Sequence, residues 1–290
     1  MRGLLQRWWT CDRRTRLWIL AAVLVVIAAG LGFVPRIPVG VSYHEFADQR
    51  TILGIPHGFD VLSNVPFVLV GIWGIIFLLR SANQAAFSEN WERIPYLVFF
   101  AGAALTGLGS GYYHLAPGNA RLVWDLLPMT FSFVAIVDAT IVERISTKAG
   151  ARLLLPLMAL GAASVAYWYA GELQAHGDLR FYLFVQFCPV VIIAVIIGLF
   201  PTRYSRTEDL ILAFLFYVLA KLFELLDRPI YSLGGIVSGH TLKHVTAALA
   251  CYCILRMLRL RAVVAEGDPW RQWGAVASSG AAKGDLPSQP

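Results

Sequence analysis

The chain has 290 residues, 58% of them hydrophobic and only 14% charged, with a formal net charge of +6. Soluble domains carry about a quarter charged residues, so the composition excludes an ordinary soluble enzyme. The basic residues cluster beside apolar runs, where they set membrane orientation, and this excludes a nucleic-acid partner. Several runs reach the roughly 20 apolar residues that a bilayer demands. The expected class is an all-α polytopic membrane protein. Four cysteines (Cys11, Cys188, Cys251, Cys253) show no zinc-ribbon or CxxC spacing, and no disulfide framework is expected.

The first apolar run, at about residues 17–34, follows a basic segment with Arg2, Arg7, Arg13, Arg14 and Arg16. This resembles a signal-peptide start, but the run is long and no clear Ala-x-Ala site follows. It is expected to stay as a membrane anchor within an N-terminal segment of about residues 1–42. Seven more spans are expected at about 61–79, 96–114, 124–142, 152–170, 181–200, 208–226 and 240–258. They form a seven-helix core over about residues 43–262, with the anchor as one extra helix. The tail, about 263–290, is rich in Gly, Ala, Ser and Pro and is expected to be a disordered cytoplasmic segment.

Counting Lys and Arg fixes the expected orientation. With the N-terminus inside, seventeen of the 24 fall on inner segments, five on outer segments, and Lys221 and Lys243 within spans. Both termini are therefore expected in the cytoplasm. All six histidines then fall on the outer side, although none entered the count: His44, His57, His114, His176, His240 and His244. A preference of histidine for wet interfaces accounts for His176 and His44, but poorly for the pair His240 and His244, four residues apart.

Gly107, Gly109 and Gly111 sit in an apolar run without the strand-turn-helix context of a nucleotide fingerprint, so close helix packing is expected there. The chemistry lies in two short motifs. One is Ser110-Gly-Tyr-Tyr-His114, followed by Trp124-Asp125-Leu-Leu-Pro128; the other is Ser238-Gly-His240-Thr-Leu-Lys-His244. His240 and His244 are four apart, so they share a helix face. Interhelical hydrogen bonding would also explain the pair. With His114 at a similar depth on another helix, the three match the protein ligands of a catalytic zinc, which keeps a fourth position open. Ser110 lies one turn before His114; it can donate to an oxyanion or bond back to its own helix. Asp125 can cap a helix start, or handle a water proton beside a metal. Lys243 is expected to point away from the histidine face and reach the outer interface.

Taken together, these motifs resemble the alkaline ceramidase family, part of a seven-span hydrolase superfamily that also holds the progestin and adipoQ receptors. Asp60-Val-Leu-Ser63-Asn64-Val-Pro66-Phe67 resembles the start of that family's first core helix, and the similarity covers about residues 43–258. The resemblance implies an amidase that splits ceramide, a membrane lipid, into a sphingoid base and a fatty acid. It assigns Zn2+ to His114, His240 and His244, proton transfer to Asp125, and support of the metal shell or oxyanion to Ser110. Animal members also bind Ca2+ just before the first core helix, which would here involve Glu45, Asp48, Asp60 and Asn64. His57 falls near a position where those members have an acid, and a solvated loop capped by Asp60 is an equal reading. Alternatives are a hydrolase of another lipid amide or ester, and a non-catalytic lipid-sensing receptor. A transporter would require inverted repeats or deep acidic residues. No repeat is evident, and Lys221 with Glu224 reads as a helix-end ion pair.

Overall fold

A computed structural model describes residues 11–80 and 86–263. Its long elements are all helices: α1 (Arg13–Leu31), α2 (Gly58–Leu62), α3 (Val65–Leu79), α4 (Arg93–Leu115), α5 (Asn119–Arg144), α6 (Thr147–Glu172), α7 (Arg180–Leu199), α8 (Thr207–Leu225), α9 (Asp227–Ser232) and α10 (Gly239–Leu260). Local chemistry sets several starts. Asp12, Ser146 and Ser238 accept the backbone N–H of Thr15, Ala149 and Thr241, capping α1, α6 and α10. Each such cap contributes about 1 kcal/mol.

Seven helices are long and apolar enough to cross a bilayer, with α2 and α3 counted as one span over Gly58–Leu79. The architecture is all-α and polytopic, as the composition implies. The expected span at 208–226 exists as α8, with 19 residues, but it is not among the seven. Glu208 and Asp209 at one end and Lys221 and Glu224 at the other make it too charged to qualify by composition alone. The tail from residue 264 and the basic residues Arg2 and Arg7 lie outside the described residues.

The break between α2 and α3 has a local cause. Pro66 has no N–H and its ring crowds the preceding turn, so the helix restarts at Val65 and leaves Ser63 and Asn64 at the junction.

Contacts at the helix ends show that the helices alternate in direction. At one end, Arg13 donates to the Ile145 carbonyl, Arg16 to that of Leu199 and Arg144 to that of Phe200. Glu143 pairs with Arg261 here, and Thr147 reaches Glu89. At the other end, Arg180 holds the Val34 carbonyl, His44 bridges Tyr113 and Asn119, and Asn119 holds Glu172. The Ala47 N–H reaches Asp227 there. These contacts run α8 from the arginine end of the bundle, at Thr207, to the histidine end, at Leu225.

Neighbouring helices pack in a ring: α3 on α4, α4 on α5, α5 on α7, α8 on α10 and α10 on α3, with α6 against α5 and α7. The anchor α1 rests mainly on α7 and buries none of its residues. The ring is incomplete at one place. α7 and α8 follow each other in sequence yet do not pack along their lengths. Phe187 reaches across this seam to the Tyr217 ring and to the Lys221 ammonium.

Candidate metal centre

His114 lies in the last turn of α4, and His240 and His244 in the first two turns of α10. All three are buried. Their candidate ligand atoms lie within 4.8 Å of one another, and no other group of metal-holding side chains of this kind occurs among the described residues. The Nε2 atoms of His114 and His240 are 3.2 Å apart. A tetrahedral zinc with Zn–N bonds of about 2.0–2.1 Å holds its nitrogens about 3.3 Å apart. Two of the three imidazoles are therefore already at ligand spacing.

The surroundings orient these rings. Ser63 Oγ lies 2.8 Å from His244 Nδ1 and Asn64 Nδ2 3.3 Å from it. Holding Nδ1 directs Nε2 inward, the usual arrangement behind a metal-bound histidine. Asp227 accepts the His240 N–H at 2.8 Å and the Ala47 N–H at 2.9 Å, tying the start of α10 to the strap before α2. From that strap, Phe46 lays its ring 4.5 Å from His114 and 4.4 Å from His240, covering the site from the histidine end. Neither Phe46 nor the seat that Ser63 gives His244 was expected from sequence. Ser63 lies in the quoted Asp60–Phe67 motif, which is the signal that points to it; Phe46 stands in an irregular segment without periodicity.

The close approach of α4 to its neighbours follows from two glycines. A Cβ at Gly107 would clash with the Asn64 carbonyl and the Val68 side chain, and one at Gly109 with the Trp124 carbonyl. The Trp124 carbonyl also lacks its normal helical donor, because residue 128 is proline. Gly111 faces open space and takes no part. Packing through Gly109 brings Ser110 beside Asp125: both are buried, both line the same cavity as His244, and the Ser110 side chain interacts with the Asp125 carboxyl group. Asp125 is not a cap, since α5 begins at Asn119. Its Oδ1 is buried without a hydrogen-bond partner.

Other expectations fare differently. Lys243 does not reach for the interface; it lines the cavity and donates to Glu224 at 3.0 Å. Glu224 and Lys221 form the expected ion pair, at 2.5 Å. Of the four proposed calcium ligands, Asp48 and Glu45 face arginines, whereas Asp60 Oδ2 and Asn64 Oδ1 are buried without hydrogen-bond partners. Asp48 is held by the Arg50 guanidinium and N–H. Burial alone would raise its carboxyl, but those bonds prevail and keep it below the ordinary range. Glu45 is exposed beside Arg228. Asp60 accepts from Thr241 at 2.8 Å and Ser238 at 3.4 Å, so it braces α10 rather than capping a loop. Asn64 donates to the Asp60 carbonyl at 2.7 Å. His44 is a tie, bonded to Tyr113 and Asn119, and His176 sits on an exposed turn.

The cavity is about 610 Å³ and mostly apolar, with Phe67, Phe99, Phe133 and Ile193 in its wall. That is within the range for sites that enclose a small organic molecule. It reaches Ile254 on α10, which lies about 21 Å along that helix from His240 by helical rise. The charged groups and His244 gather at the histidine end, and the rest is a mainly apolar shaft in which Ser132, Gln186 and Tyr217 are among the deeper polar side chains. No protein-family model matches the chain, and no curated protein matches it.

Proposed function

We propose that the chain is a zinc-dependent intramembrane hydrolase that cleaves the amide bond of a lipid amide, with ceramide as the example its motifs imply. The products would be a sphingoid base and a free fatty acid. One observation carries the reading: three buried imidazoles converge where a largely apolar, lipid-sized cavity meets Asp125, a carboxyl whose Oδ1 has no hydrogen-bond partner.

The histidines supply three neutral nitrogen donors, and Ser63 and Asp227 hold their geometry. A zinc ion bound there supplies Lewis acidity, which lowers the pKa of a water toward about 7 and polarises a carbonyl. Asp125 accepts the proton of the attacking water and returns it to the amide nitrogen as the C–N bond breaks. The water oxygen ends in the fatty acid, and the nitrogen leaves as an amine. Ser110 steadies Asp125 or donates to the oxyanion, a role worth roughly 3 kcal/mol for a well-placed donor. Phe46 excludes bulk water from the histidine end. The seam between α7 and α8 offers the acyl chain a sideways route from the bilayer.

The histidine end is proposed to face the outside, with both chain termini in the cytoplasm. The bias of seventeen basic residues to five supports this. A reporter fused after residue 290 is expected to read as cytoplasmic; an external signal reverses the site's orientation.

The chemical test is lipid mass spectrometry of purified protein given ceramides, N-acyl amides and esters. Release of fatty acid and amine in equal amounts by the wild type, and not by Asp125→Asn, is expected. Inert wild-type protein that nevertheless holds metal would favour a lipid sensor.

A further inference from the structure

The hydrolytic reading leaves the charged cluster of the cavity wall unused. Lys221 and Glu224 stand one turn apart near the end of α8, and Lys243 faces them from α10. Glu224 accepts from Lys221 Nζ at 2.5 Å and from Lys243 Nζ at 3.0 Å. All three line the cavity. Two ammonium groups thus share one carboxylate, so neither lysine has a carboxylate to itself. Asp125 lies on the same wall and feels both lysines, but it pairs with neither.

Ionisable side chains in a membrane bundle are expensive and tend to mark a ligand path. Each ammonium has three donors, and the hydrogen bond to Glu224 occupies one on each lysine. The level is also informative. Lys243 stands between His240 and His244 in sequence, and Glu224 is one residue from the end of α8. The cluster therefore sits beside the metal centre, at the polar end of the shaft. A neutral diol such as the head of ceramide offers hydroxyl acceptors to the ammonium groups but no counter-charge.

We propose that Lys221 and Lys243, spaced by Glu224, form an anion subsite that reads the polar end of the lipid. The preferred substrates are lipid amides carrying a carboxylate or a phosphate beside the amide, such as an N-acyl amino acid or a phosphorylated N-acyl sphingoid base. The substrate anion competes with Glu224 for the ammonium groups while the acyl chain runs down the shaft. For turnover this rests on the hydrolytic reading; for binding it stands alone. A mere ion-pair staple between α8 and α10 would alter stability and act on every substrate alike.

The test uses full-length, zinc-loaded protein in detergent and three substrates of one acyl length: an N-acyl amino acid, a phosphorylated ceramide and a neutral ceramide. At least one anionic substrate is expected to exceed the neutral one by about tenfold in kcat/KM, the effect of one charge-assisted hydrogen bond. The two anionic arms tell carboxylate from phosphate. Lys221→Gln is expected to remove the preference, Lys221→Arg to keep it, and Glu224→Gln to raise it. No preference in the wild type, or a preference untouched by Lys221→Gln, overturns the proposal. So does an equal loss on all three substrates with a lower unfolding temperature.

Binding gives a readout without turnover. A long-chain fatty acid or alkyl phosphate should raise the unfolding temperature more than an alcohol of equal length, and Lys221→Gln should abolish the difference. If that pattern holds but nothing is cleaved, the subsite stands and the hydrolytic reading falls. If neither cleavage nor the pattern is seen, both fall.

Discussion

The two ends of the bundle are both rich in buried polar groups, yet they are built on opposite plans. At the arginine end most buried carboxylates meet a guanidinium: Glu92 with Arg203, Glu143 with Arg261, and Asp209 with Arg206 and Arg256. Asp138 on the same side of the bundle is the exception, with both carboxylate oxygens buried and without hydrogen-bond partners. Arg261 is further enclosed by the rings of Phe87, Tyr96 and Tyr204, at 4.6, 5.6 and 4.1 Å. At the histidine end, Asp125 Oδ1, Asn64 Oδ1, Asp60 Oδ2 and His114 Nδ1 are buried without hydrogen-bond partners. Buried polar atoms are nearly always satisfied, so a concentration of orphans marks a place for an ion, a water or a substrate. Opposite charges that satisfy one another mark a clamp. Neither polar burial nor unfinished pairing locates a site alone, since Arg16 Nε, Arg203 Nε, Glu208 Oε2 and Arg261 Nη2 lack partners at the arginine end; what sets the histidine end apart is that three imidazoles converge there beside the cavity.

Four experiments sharpen or break this contrast. The largest effect is expected from His240→Ala, which should take the metal content from about one zinc per chain to none and abolish hydrolysis; metal analysis that finds zinc retained removes the histidines from the ligand set. Asp125→Asn should keep the zinc and slow amide hydrolysis by about 10²–10⁴-fold. If that variant is metal-loaded and still active, the proton-transfer role ends. Ser63→Ala should weaken zinc about 10–100-fold by freeing the His244 ring, as read by competition with a chelator; unaltered affinity would mean that Asn64 suffices. Arg261→Ala, at the other end, should leave zinc content and per-molecule activity alone while lowering stability by about 3–5 kcal/mol, because Glu143 is left buried and unpaired. Denaturation in detergent measures this, and a loss of zinc instead would erase the distinction between the ends.

The fold was largely legible because membrane helices advertise themselves by length and hydropathy. Each expected span falls on a helix, and the errors lie at the ends: about 124–142 is expected where α5 runs Asn119–Arg144, and about 152–170 where α6 runs Thr147–Glu172. Hydropathy registers the apolar middle of a helix and misses its polar terminal turns, which here carry ties such as Asn119 and Glu172. The histidine pair was legible because helical spacing alone puts residues four apart on one face. Lys243 was misjudged for the complementary reason. Its direction depends on Glu224 of another helix, a contact that no local rule contains. Asp48 reads as a calcium donor because a carboxylate in a polar segment gives no sign that Arg50, two residues on, will fold back to occupy it. Phe46 covers the histidines through a strap fixed by His44 and by Asp227, and that route exists only once the chain has closed.

The seam between α7 and α8 has a thermodynamic consequence for selectivity. An acyl chain that leaves the bilayer through it exchanges one hydrocarbon medium for another, since lipid tails are as apolar as the leucines and isoleucines of a helix bundle. The transfer that gives soluble lipid carriers about 0.8 kcal/mol per methylene is then close to zero. Chain length can affect fit, but it contributes little driving force. For the proposed lipid substrates, all dissolved in the same two-dimensional solvent, preference would then come from the polar atoms at the mouth of the shaft.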